Sequence, residues 1–244
     1  MKELFARNIL YWGEDAQKKL SESCVAVFGL GGVGGFCAEA LARSGVGSLL
    51  LVDFDKVSIS NINRQIVAST STVGEFKTEL FYKRLKDINP DINISFDSNF
   101  YQEKYDFEGV DFVADAIDTM RSKINLLCKC YNEKVPVISS MGAGNRIDPT
   151  QLYISDISEI HDKKAPFVSN IIYQLKKRGI VSGIRVVTSD EKPFVQQKIS
   201  ELECIKTQEG EEIEFNKIIP SSTPFVAPTA GLFMASYIVQ KIIK

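Results

Sequence analysis

At 244 residues, with 44% hydrophobic and 25% charged side chains, the chain suits one large α/β domain spanning 1–244 and is too apolar for disorder. A net charge of -2 and a pI near 5.6 exclude the whole-molecule field of a nucleic-acid or anionic-membrane binder, so a polyanionic partner needs a local patch. Five scattered cysteines (Cys24, Cys37, Cys128, Cys130 and Cys204) read as reduced thiols, and no basic, apolar leader opens the chain; both point to a cytoplasmic protein.

Residues 1–22 are expected to form a helical segment. Val25 to Leu30 is a short apolar strand, Val33 to Ser44 a helix stopped by Gly45, and Ser48 to Val52 a second buried strand. Phe76 to Ile88 reads as a helix ended before Pro90. Ile92 to Phe96 follows as a weak strand and Val110 to Ile117 as a stronger one. Thr119 to Asn132 is the next helix, and Pro136 to Ser140 the next strand. This alternation predicts a Rossmann-like, doubly wound, mostly parallel sheet with helices on both faces, completed by a C-terminal extension. After Gly144 the pattern loosens into a crossover and variable, substrate-side region over 156–228. Asp148-Pro149 marks a turn, Gln151 to Ile154 a strand, and Asp156 to Pro166 an irregular charged crossover. Gln174 to Arg178 ends a helix at Gly179, and Ile184 to Thr188 returns as a strand. Ser189 to Asn216, rich in Glu, Lys and Gln, reads as a mobile surface insertion. Phe225 to Ile243 is apolar but carries Pro228 and Gln240. A buried closing helix is favoured over stable membrane insertion, which needs about 20 predominantly apolar residues.

The motifs sit at strand ends. Gly29-Leu30-Gly31-Gly32-Val33-Gly34 has the spacing G-x-G-x-x-G between a strand and a helix, where Gly29, Gly31, Gly32 and Gly34 let backbone N–H groups approach a phosphate. Asp53 ends the second strand, near where a dinucleotide fold places its ribose carboxylate; Asp55 either shares that role or caps a turn. Asn61, Arg64 and Lys77 then follow, where a dehydrogenase would carry hydride-transfer residues. Two cations beside a phosphate turn fit a polyphosphate, because Arg forks two oxygens and Lys adds a point charge; as surface charges they would mean less. Asp118, past the strand in Asp115-Ala116-Ile117-Asp118, is the candidate magnesium ligand, with a helix N-cap as its structural alternative. Together with Met141 to Gly144, these segments converge on the carboxyl edge of the sheet. Cys128 and Cys130 lack metal-ligand spacing, and the lone His161 reads as a loop residue.

In order and spacing, these motifs resemble those of the ubiquitin-activating-enzyme-like adenylyltransferases, from Arg7 to about Pro149. Glu39 to Gly47, Asp87-Ile88-Asn89-Pro90 and Ser139 to Thr150 are similar to the tRNA threonylcarbamoyladenosine dehydratase branch. That resemblance implies ATP and Mg2+, a carboxyl-adenylate, and tRNA carrying threonylcarbamoyladenosine as substrate. By the same resemblance, Gly29, Gly31, Gly32 and Gly34 hold phosphate, Asp53 the ribose, and Asn61, Arg64 and Lys77 the triphosphate, while Asp118 positions magnesium. Arg7 would reach the nucleotide of a partner subunit in a homodimer, or else is a surface charge. The branch usually has His where this chain has Val67. Lys176, Lys177, Arg178 and Arg185 are candidate tRNA contacts. Two alternatives remain: an adenylyltransferase acting on a ubiquitin-like sulfur-carrier partner, and a non-catalytic NAD-binding protein. Against the first stands the crossover Asp156 to Pro166, which holds no cysteine for a thioester.

Overall fold

The computed structural model describes residues 3–99, 101, 105–161, 163, 165–194, 200–206, 212–218 and 220–244. Helix α1 (Ala6–Glu22), broken at Gly13 where φ is 85°, leads into β1 (Cys24–Phe28), α2 (Gly34–Ser44) and β2 (Ser48–Val52). Then come α3 (Lys77–Ile88), β3 (Asn93–Asp97), β4 (Phe112–Asp115), α4 (Met120–Glu133) and β5 (Val137–Ser140). After these the chain forms β6 (Leu152–Asp156), α5 (Pro166–Lys176) and β7 (Arg185–Ser189), then β8 (Ser200–Lys206), β9 (Glu212–Ile218) and α6 (Val226–Ile243).

Seven strands make one sheet in the order β3-β2-β1-β4-β5-β7-β6, parallel throughout except for the antiparallel edge strand β6. The chain winds outward from β1 through β2 to β3, then returns to lay β4 on the other side of β1. That reversal leaves a crevice between the ends of β1 and β4, the place where open α/β sheets bind ligands. Period-2 side-chain alternation divides the core in two. Val25 and Val27 of β1 face a cluster built with α2, α3 and α6, while Ala26 and Phe28 face one built with α4 and α5.

As expected, the sheet is completed by a C-terminal extension, β6 and β7 from 152–189, and helix α6 follows. One expectation needs correction. Ser189–Asn216 is more than a mobile insertion: Ser200–Lys206 and Glu212–Ile218 pair as an antiparallel hairpin from Ser200↔Ile218 to Lys206↔Glu212. Residues 195–199 and 207–211 of that stretch lie outside the described residues. Described residues on either side of this stretch, Glu191, Phe194 and Ser221, are tied to the turn after β5. Asn145 exchanges backbone hydrogen bonds with Ser221 and Phe194, and the Glu191 carboxylate accepts from the Ile147 and Asp148 N–H groups. Helix α6 is long and apolar enough to cross a bilayer, yet half of it is buried inside the fold. It packs on α2 so closely that a Cβ on Gly231 would strike the Val33 carbonyl.

Candidate nucleotide-binding active site

The crevice opens into a cavity of about 310 Å³. Gly29, with φ at +86°, ends β1 and turns the chain across β4; a Cβ there would lie 2.7 Å from the Ala116 carbonyl oxygen. A side chain at Gly34 would likewise collide with the Gly29 carbonyl, so both glycines are required by protein contacts. Gly31 differs. The nearest atom to a Cβ there is Gln65 Nε2 at 3.8 Å, and both residues line the cavity. The space beside Gly31 is therefore available to a ligand, at the N-terminus of α2 where N–H groups and the helix dipole favour an anion.

Asp53, at the end of β2, is buried, and its Oδ2 accepts from Leu30 N at 2.5 Å while Oδ1 accepts from Asp55 N at 2.8 Å. Burial pushes its carboxyl up from the usual carboxylate range; Lys77 and the two amides pull the other way. Lys77, the first residue of α3, is also buried, with Nζ 2.7 Å from Asp55 Oδ2 and 3.8 Å from Asp53 Oδ1. Backbone pairing of Lys77 N with Asp55 O sets that register. Asp55 thus serves as the counter-ion that parks the lysine at the cavity.

Arg64 also lines the cavity, and its Nη1 donates to Ser60 O and Asn63 Oδ1, both at 2.8 Å. Burial lowers its affinity for the proton, and the facing Asp118 carboxylate partly restores it. Asn61 closes the turn that carries Arg64, its Oδ1 accepting from Ser58 N at 3.2 Å. Asp118 stands exposed on the rim. It is not the cap of α4, because Thr119 occupies that position. Among the described residues no three His, Cys, Asp or Glu side chains cluster to hold a metal. A single carboxylate beside phosphates nonetheless fits magnesium, which keeps most of its waters.

Other sequence candidates fall outside the cavity. Arg7 is exposed on α1 and lines no part of it. Lys176 and Lys177 end α5, and Arg185 begins β7, at the edge of the sheet away from the crevice. His161 stacks on Tyr153 and sits 3.1 Å from Asp190 Oδ1 at the surface. Val67 is buried in the core with α2 and α6, a position that an apolar side chain fills. Burial raises the pKa of Cys24, Cys37, Cys128 and Cys130, which leaves them poor nucleophiles.

Two features went unread in the sequence. Gln65, which lines the cavity, is 6% exposed, and its buried Oε1 has no hydrogen-bond partner. Beneath the rim, Asp115 and Lys123 are both fully buried, with Lys123 Nζ and Ser139 Oγ each 2.7 Å from Asp115 Oδ2. Asp115 Oδ1 accepts from Ile117 N at 3.1 Å, which fixes the start of the turn bearing Asp118. An acid inside an apolar strand, eight residues before a lysine in a helix, was the available signal, since a buried charge requires a partner.

Residues 5–244 match the ThiF family. The chain belongs to that family. Over 252 aligned residues it is 43% identical to a tRNA threonylcarbamoyladenosine dehydratase of Bacillus subtilis, covering 100% of this chain and 96% of that one. Among solved structures, the Escherichia coli tRNA N6-threonylcarbamoyladenosine dehydratase in complex with AMP superposes with a TM-score of 0.85 at 29% identity, over 99% of this chain and 94% of that one. The same enzyme in complex with ATP gives 0.83 at 28% identity, with the same coverage. As a ThiF-family member with this strand order, the chain has the Rossmann-like α/β fold expected of it.

Proposed function

We propose that this chain is an ATP-dependent tRNA threonylcarbamoyladenosine dehydratase, which adenylates the carboxylate of the modified nucleoside and closes it into a ring. The observation that carries the reading is the meeting, in one crevice, of an open phosphate turn at Gly31, the two cations Arg64 and Lys77 and the carboxylate of Asp118. Asp53 sits where a ribose would be held, and the N-terminus of α2 with Arg64 would take the phosphates. Lys77, now paired with Asp55, is placed to shift toward an incoming polyphosphate, and Asn61 supports the turn that aims Arg64. Asp118 would hold magnesium, which when bound neutralises phosphate charge and orients the leaving pyrophosphate. The second half-reaction needs no protein thiol. An internal nucleophile held against an activated carboxyl acts at effective molarities of up to roughly 10⁵–10⁸ M, in keeping with cysteines whose thiols are held protonated. We read Arg7, outside the cavity of its own chain, as reaching the nucleotide of a second copy in a homodimer, and the protein as cytoplasmic.

AMP formation tests this directly, comparing tRNA bearing threonylcarbamoyladenosine with a ubiquitin-like carrier ending in Gly-Gly. The modified tRNA is expected to drive AMP and pyrophosphate release. Turnover with the carrier alone would replace this reading with carrier activation.

A further inference from the structure

The nucleotide cavity is lined by Val52, Asp53, Phe54, Asn99 and Tyr101 as well as by Gly31, Gly32, Arg64, Asp118 and Gly144. Against it lies another cavity of about 430 Å³, within the ~300–1,000 Å³ range of pockets that enclose small ligands. The two share Val33, Ala116, Ile117, Asp118, Ala143, Gly144 and Pro220 as a common wall, whereas Val52, Asp53, Phe54, Asn99 and Tyr101 line the first cavity alone. With the ribose at Asp53, an occupant of the second cavity faces the nucleotide at its phosphates.

The chemistry of this chamber is different. Met141, Ala165, Pro166, Phe167, Val168 and Pro193 give it an apolar lining. Among the described residues its one cationic side chain, Arg146, is buried and directed at the main chain, to the carbonyls of Gly142, Gly144 and Glu191. None of the described lining side chains therefore presents a cation for a second phosphate. The half-buried Phe167 lies in the first turn of α5, held against the Gly142 backbone so that a Cβ there would come within 3.3 Å of its ring. A flat, neutral body suits such a chamber, and nucleobases that enzymes extract from a strand are commonly received against an aromatic face.

Building on the proposed dehydratase reading, we propose that this second cavity receives the purine and acyl arm of the modified nucleoside, with Phe167 as the stacking platform. The carboxylate then points over the Asp118–Gly144 rim. One of its oxygens bonds to the α-phosphorus as the bond from that phosphorus to the α,β-bridging oxygen breaks, and the electron pair leaves with pyrophosphate. No proton transfer is required.

The test is Phe167→Ala, with Phe167→Tyr and Phe167→Trp as partners, after wild-type AMP formation on modified tRNA has been established. Stacking on an aromatic platform is typically worth about 10-fold or more in binding, so Phe167→Ala is expected to raise KM for the tRNA about 10-fold while the Kd for ATP, read by calorimetry, stays unchanged. Phe167→Tyr should restore KM. In Phe167→Trp the new indole should be quenched by the modified tRNA and not by ATP alone, against a background of Trp12, the one native tryptophan. This fluorescence readout stands even if the alanine variant does not fold. An unchanged KM, or no quenching at saturating tRNA, overturns the proposal. A wild-type protein that binds ATP but makes no AMP on modified tRNA refutes the dehydratase reading, and this inference with it.

Discussion

Replacing Lys123 with Met removes the ammonium that lies 2.7 Å from Asp115 Oδ2 while keeping an apolar stem of similar length. Both side chains are 0% exposed, so water cannot take the place of the lost charge. Asp115 keeps the Ser139 hydroxyl and the Ile117 N–H, which satisfy lone pairs without balancing a full charge. Breaking a buried ion pair from one side costs about 3–5 kcal/mol, a large share of the ~5–15 kcal/mol that holds a domain together. With a urea dependence of roughly 3 kcal/mol/M, the unfolding midpoint should fall by about 1–1.7 M. Adding Asp115→Asn leaves no uncompensated charge, so the double variant should recover most of that loss. Equilibrium urea unfolding followed by circular dichroism measures both. A single-variant shift below about 0.3 M, or a double variant no better than the single, would refute the argument that the pair is held by mutual charge.

Gly31→Ala should leave stability within about 0.5 kcal/mol of wild type, because nothing but Gln65 Nε2 at 3.8 Å meets the new methyl. By calorimetry the same variant should lose about tenfold in ATP affinity, near 1.4 kcal/mol. Unchanged affinity would mean that phosphate binds elsewhere. Arg64→Ala should reduce AMP formation about 100-fold or more, as expected when a transition-state cation is lost, with its urea midpoint intact. Lys77→Ala is a less clean probe: it also leaves the buried Asp53 carboxylate without its cation, so a lower midpoint should accompany its loss of activity. Glu39 is nearly buried against Arg43 and Arg84. Burial opposes its ionisation, but hydrogen bonds and charge from Arg84 and Arg43 win and lower its pKa below 4.5. The native state then binds fewer protons than the unfolded chain in that window, so this contribution is present above pH 4.5 and disappears as pH falls through the folded pKa. Glu39→Gln should flatten the decline of the urea midpoint between pH 5 and pH 3; an unaltered slope would assign that decline to other carboxylates.

The strands and helices as far as Ser140 were legible because short apolar runs alternate with longer helical patterns, several of them punctuated by Gly or Pro (Gly29, Gly45, Pro90, Pro136), and most boundaries fall within one or two residues of expectation. Val110 to Ile117 was read too long: β4 spans only Phe112–Asp115, since apolarity does not reveal where neighbouring strands stop pairing. The hairpin of β8 and β9 was missed because its charged alternation looks like solvated loop until a partner strand is known. Asp53, Asn61, Arg64, Lys77 and Asp118 were legible as a set from the order of their motifs. Lys123 was hidden inside an amphipathic helix, and the cavity holding Phe167 emerges only when the turn after β5, α5 and the approach to α6 are folded together.

Helix α6 has a bearing on how this protein is made. Val226, Ala230, Met234 and Ile238 fill the same apolar layer as Cys37, Ala38 and Leu41, and Ala227 forms part of the nucleotide-cavity wall. A nascent polypeptide that has cleared the ribosome only as far as residue 225 already carries the phosphate turn but leaves the α2 flank bare. The cavity of such a chain also lacks the part of its wall that Ala227 supplies. Until α6 is synthesised and docks, the apolar residues of α2 that it covers stay open to water.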